Sequence, residues 1–180
     1  MILEKDGSGE LVGDGSAILT AVSVPDSDLV ELHLEDLGGG DGPTARIQLR
    51  PWEPSGFHVC EWRSAGALVI AGAERILVLE SATLATKAAI TLEYEEGETL
   101  VDLWYCEKRE LKLLTISSEL HVWCLDDRLA IRWCWSSRTT ADDRRIWSNP
   151  TFVADALRVP VRTMRGDRDV DLSFCDGAEA

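Results

Sequence analysis

The sequence has little of what catalytic and metal sites are usually built from. Its three histidines, His33, His58 and His121, fall on three separate predicted strands, so a metal triad could only be assembled in space. Its five cysteines include no Cys-x-x-Cys pair, and four sit inside apolar stretches. They read as reduced, buried side chains. A Gly-x-Ser-x-Gly elbow, a Walker loop and a dinucleotide fingerprint are all missing. No catalytic residue, metal or cofactor is therefore expected. No apolar run reaches ~18 residues, which excludes a membrane-spanning helix. The opening MILEKDGSGELVGDG is acidic and glycine-rich, without the basic region and apolar core of a signal peptide. A cytoplasmic location is expected.

Basic charge is also scarce. Lysine and arginine total 18 against 32 acids, a net charge of −14. Residues 1–60 alone carry 11 acids and 3 bases. A nucleic-acid-binding surface needs a basic patch. The one candidate, the arginines from Arg138 to Arg168, is interleaved with aspartates and reads as a mixed, solvated face. Neither nucleic acid nor membrane is an expected partner. A basic protein is, because complementary charge steers encounter.

What the sequence does have is β-structure. Amphipathic helical spacing is missing, while short β-branched and aromatic runs recur between Gly, Asp, Ser and Pro. Predicted strands include Ala17–Val24, Leu29–Glu35 and Ala45–Leu49 near the start, and Thr151–Ala154, Leu157–Arg162 and Asp169–Phe174 near the end. The chain reads as a single all-β, antiparallel domain over 1–180. Between these flanks lies an internal repeat. ALVIAGAERILVLES, from Ala67, aligns with LLTISSELHVWCLDD, from Leu113. Ile70 falls on Ile116, Gly72 on Ser118, Leu79 on Leu125 and Glu80 on Asp126. With their leading and closing strands, residues 57–95 and 99–136 form two consecutive four-stranded meanders.

Four strands per unit of roughly 40–46 residues is the pattern of propeller blades. Over residues 57–136 the chain resembles β-propeller repeat proteins of the WD40-like kind. It carries neither their opening Gly-His nor their closing Trp-Asp dipeptide, so the resemblance is one of blade geometry. It implies a small or incomplete propeller. An open stack of blades or a two-sheet sandwich are the alternatives.

The stretch HVWCLDDRLAIRWCW, His121–Trp135, is a hairpin in this scheme. Its turn is DDRL, with Asp in a favoured position. Trp123 and Trp133 read as core. Trp135, at the strand end, reads as partly exposed, either core or an interface anchor. EYEEGE sets Glu93, Glu95, Glu96 and Glu98 around Tyr94, as a charged turn or a docking surface. The interval Ser136–Pro150 is the longest polar stretch and carries Trp147. Long loops are functional more often than average.

These features point to a non-enzymatic, acidic protein-binding module. The expected contact residues are Glu93, Glu95, Glu96, Glu98, Asp126, Asp127, Trp135 and Trp147. In size and charge the chain resembles bacterial immunity proteins. That resemblance implies an inhibitor that neutralises a basic toxin, such as a nuclease, by covering its active site with carboxylates. The alternatives are a small hydrolase with a cleft on a β scaffold, or a scaffold subunit completed by another chain through its edge strands.

Overall fold

Tight turns between short apolar runs leave each strand little choice but to pair with its neighbour in sequence. The structure, a computed structural model, describes residues 2–3, 6–11, 17–25, 27, 29–36, 42–51, 56–92, 103–138 and 144–179. They divide into two compact units, Met1–Glu95 and Glu96–Ala180.

The first unit holds two antiparallel sheets. After β1 (Ile2–Leu3), the strands β2 (Ser8–Leu11), β3 (Ala17–Ser23), β4 (Leu29–Asp36) and β5 (Thr44–Gln48) form a four-stranded meander. The next meander comprises β6 (Phe57–Trp62), β7 (Ala67–Ala71), β8 (Arg75–Glu80) and β9 (Thr86–Thr91). β1 adds to its β6 edge, with Ile2 opposite His58. Leu19, Leu32 and Ile47 from the first sheet share one core with Phe57, Leu68 and Leu79 from the second. The turn after β7 locks the two sheets together. Ala73 N–H donates to the Arg50 carbonyl at 2.7 Å. A Cβ on Gly72 would lie 2.2 Å from that same oxygen, so only glycine admits the approach.

The second unit repeats the plan. β10 (Trp104–Lys108), β11 (Leu113–Ser117), β12 (His121–Leu125) and β13 (Ile131–Ser136) make one meander. β14 (Arg145–Ile146), β15 (Thr151–Val153), β16 (Ala156–Thr163) and β17 (Gly166–Ser173) make the other sheet. There β14 and β15 share one edge of β16, and β17 pairs along the whole of the other. Pro160 lies on β16 between the stretches that pair with β14 and β15, where a missing N–H is tolerated.

The two central sheets match each other down to their irregularities. β7 starts at Ala67 and β11 at Leu113; β8 starts at Arg75 and β12 at His121. A 3-10 turn precedes each pair, Arg63–Ala65 and Arg109–Leu111, and ends on a left-handed residue, Gly66 and Lys112. Each third strand shifts register at the same place, between Val78 and Leu79 and between Cys124 and Leu125. β7 and β11 are buried at every position, so both their faces are covered.

Several expectations are corrected. The two flanks are four-stranded, where three strands are expected before the repeat and two or three after it, because Ser8–Leu11 and Arg145–Ile146 also pair as strands. SGEL and RI are too polar or too short to announce themselves; the pairing edges of β3 and β16 make them strands. The five cysteines form no disulfide, but only Cys124 is fully buried, while Cys134 and Cys175 are exposed. Cys134 alternates with Trp133 and Trp135 on β13 and so faces away from their core. GGGDGP lies largely outside the described residues.

Candidate interaction surface

The residues singled out from sequence part company in space. Glu93, Glu95, Glu96 and Glu98 lie outside the described residues. Asp126 is a turn residue: its Oδ1 accepts the backbone N–H groups of Arg128 (3.0 Å) and Ala130 (3.2 Å). Asp127 is exposed beside it. Trp135 is not an exposed anchor. It is 8% exposed, within the core of the second unit. Its indole N–H donates to Glu179 at 3.2 Å, and the Arg144 guanidinium lies 5.5 Å over its ring. The chain returning after β17 supplies that partner, which no local pattern around Trp135 could announce. Trp123 and Trp133 are buried as expected, and Trp133 N–H donates to the Phe174 carbonyl at 3.0 Å.

Among the described residues, Trp147 is the large aromatic left in the open, 45% exposed. It follows β14, whose Ile146 points into the core, so alternation turns Trp147 to the outer face. There it stacks with Arg162, whose guanidinium carbon is 5.0 Å from the ring centroid. Its backbone N–H donates to Pro160 O at 3.3 Å.

Arg162 belongs to a ladder. On β16, Leu157, Val159 and Val161 face the core, which leaves Arg158, Pro160 and Arg162 outward. On β17, Val170 and Leu172 face inward and Asp167, Asp169 and Asp171 outward. Register sets Arg158 opposite Asp171, Pro160 opposite Asp169 and Arg162 opposite Asp167. Arg158 grips Asp171 with two hydrogen bonds of 2.8 Å. Arg162 grips Asp167 at 3.0 and 3.3 Å. These donors hold both aspartates below the ordinary carboxylate range. Such exposed pairs add little stability, but a two-pronged grip fixes the guanidinium plane. Trp147 is thus held against a clamped cation. The mixed face was legible in the alternation LRVPVR and DRDVDLS; the pairing of its charges was not. At the β16–β17 turn Met164 is 96% exposed.

Other polar groups serve the fold. On the outer face of the first sheet, Glu31 accepts from Arg46 at 2.7 Å and lies 3.1 Å from His33 Nε2. Arg46 holds Glu31 below its usual range, as Thr83 does Glu80. His33, His58 and His121 sit on β4, β6 and β12. No group of three or more metal-ligating side chains occurs among the described residues. A small cavity of about 160 Å³ in the first unit is lined by Gln48, Leu49, Arg50, Glu74 and Arg75. Arg50 and Glu74 pair across it at 2.5 Å.

No model of a known protein family matches this chain, and no curated protein matches it. Among solved structures it is similar to the crystal structure of BamB from Moraxella catarrhalis, with 15% identity and a TM-score of 0.53, over 95% of this chain and 55% of that one. It is also similar to KlHsv2 with loop 6CD replaced by a Gly-Ser linker (9% identity, TM-score 0.45, 91% of this chain and 62% of that one). A third is BBS1N in complex with ARL6DN (13% identity, TM-score 0.44, 95% and 51%). The chain therefore spans between half and two thirds of the length of each. The BamB likeness and the successive four-stranded meanders place the fold among all-β proteins with propeller-like blades.

Proposed function

We propose that this chain is a non-enzymatic protein-binding module that meets its partner through the outer face of β14, β16 and β17. The observation that carries this reading is Trp147, a half-exposed tryptophan stacked on an arginine that is itself clamped by Asp167. Tryptophan and arginine dominate binding hot spots, and side chains fixed before binding lose little entropy on docking. The net charge of −14 supports a basic partner. The narrower reading, an immunity-type inhibitor that covers a basic toxin such as a nuclease, rests on that charge and on size. Its acidic contacts would be Asp126, Asp127, Glu93, Glu95, Glu96 and Glu98.

The test is co-expression with the products of neighbouring reading frames, followed by size-exclusion chromatography and surface plasmon resonance. A one-to-one complex that loses affinity about tenfold or more in Trp147→Ala meets the proposal. Its association rate should also fall steeply as salt rises from about 0.05 to 0.5 M. A complex indifferent to Trp147→Ala removes this face from the reading. One indifferent to salt removes the basic partner, and with it the toxin.

A further inference from the structure

Arg144 is the buried cation of the second unit, with its side chain 4% exposed. Every part of its head is held. Nε donates to the Ser137 carbonyl at 2.8 Å, and Ser137 Oγ in turn donates to the Arg144 carbonyl at 2.8 Å. The guanidinium lies over the Trp135 ring. Its two remaining nitrogens, Nη1 and Nη2, both donate to Glu179, at 3.2 and 2.8 Å, and the Trp135 indole N–H adds a third donor. Three fixed donors converging on one carboxylate make a carboxylate receptor.

The two halves of this pair are unequal. Glu179 is 43% exposed where Arg144 is 4% exposed, so the acid reaches in from solvent. The segment that carries it lies at the surface. Cys175, Asp176, Ala178 and Glu179 are all exposed. Besides the Glu179 side-chain contacts, it is held by the Trp133 bond to Phe174, by the edge contact of the Phe174 and Phe152 rings, by an isolated bridge between Leu172 and Glu179, and by bonds from Ser173 N–H to Ala178 O, from Gly177 N–H to Ser173 O and from Cys175 N–H to Ser173 Oγ. The buried member is Gly177, which lies on the Trp133 ring: a Cβ there would sit 2.7 Å from Cε3, and its φ is +72°. A buried guanidinium stripped of its anion is strongly disfavoured. The segment can therefore be exchanged for another carboxylate far more readily than it can simply leave.

We infer that Arg144, Trp135 and Trp133 form a binding site for an acidic peptide of the form Gly-Xaa-Glu, which Gly177–Glu179 fills in cis and a partner's segment fills in trans. The glycine is required by the Trp133 ring and the glutamate by the Arg144 fork. This site shares no residue with the Trp147 surface and stands or falls independently of it.

The test is isothermal titration of the full chain with an N-acetylated, C-amidated peptide of residues 174–180 in which Cys175 is replaced by Ser. Glu179→Ala protein, whose own plug is weakened, should bind this peptide at least about tenfold more tightly than the wild type does. Peptides carrying Glu179→Gln or Gly177→Ala should each bind at least about tenfold more weakly. Arg144→Met/Glu179→Ala protein should not bind it. Should Glu179→Ala fail to fold, Glu179→Gln keeps the shape while removing the charge and takes its place. Equal affinity for wild-type and variant protein, no binding to either, or binding that survives in the double variant would overturn the inference. So would indifference to the glycine or the glutamate of the peptide.

Discussion

Leu84 and Leu129 do the same work in successive sheets. Each sits in the turn before the last strand of its meander, with φ of 55° and 62°, and each is buried. Leu84 N–H donates to Glu80 O at 2.7 Å, and Leu129 N–H to Asp126 O at 2.9 Å. A left-handed leucine is strained by about 1–2 kcal/mol, and burial of its side chain offsets this by about 1.5–3 kcal/mol. The turn is kept because the side chain pins it to the core. Leu129→Ala therefore loses the pin and keeps the strain, and should destabilise by about 2–4 kcal/mol. Leu129→Gly loses the same contacts but relieves the strain, so it should cost no more than the alanine variant. Urea titration of both variants checks the order; a glycine variant clearly weaker than alanine would refute the account.

The two tryptophans read from sequence as contact residues should separate cleanly in stability. Trp135→Ala opens a cavity in the core and removes a donor from Glu179, at a cost of about 3–5 kcal/mol. Trp147→Ala removes a half-exposed ring and should cost no more than about 1 kcal/mol. Thermal unfolding of the two variants beside wild type decides this.

Acid should loosen the segment that follows β17. Hydrogen bonds from Arg144 hold the Glu179 carboxyl below its ordinary 4.5. A depressed carboxylate contributes stability that is fully present above that ordinary value and is lost as pH falls through the folded-state value. Wild type should thus exceed Glu179→Gln in stability at pH 7, and the gap should close as pH drops below 4.5. Denaturation midpoints of both proteins across the acid range test the sign. A gap that is unchanged or wider in acid would contradict it.

Thiol chemistry should follow position on the strand. Burial pushes the Cys124 thiol up to about 12, so almost none is thiolate near neutral pH. Cys134 and Cys175 are exposed. Iodoacetamide at about pH 8 should label these two first and leave Cys124 untouched in the native state. Mass spectrometry of the labelled peptides reads this directly.

The repeat was legible because its cause is local. Apolar runs such as ALVIA and LLTIS, small-residue turns and the acids Glu80 and Asp126 recur at one spacing, and adjacent strands pair wherever a short turn joins them. The same logic exposed the mixed-charge face, since Arg158 and Arg162 alternate with core valines. Ser8–Leu11 carries no such local signal: it is a strand by virtue of the β3 edge beside it, not of its own composition.

The sequence by itself determined an all-β chain of antiparallel four-stranded sheets and the burial of Trp123 and Trp133. Each of these follows from interactions between near neighbours along the chain, through side-chain alternation and turn chemistry. Only the tertiary structure decided the fates of Trp135 and Trp147, which look alike in sequence. Trp135 meets Glu179 and Trp147 meets Arg162, partners well separated along the chain. Their encounters depend on how β16 and β17 return across the unit, and no local periodicity carries that information.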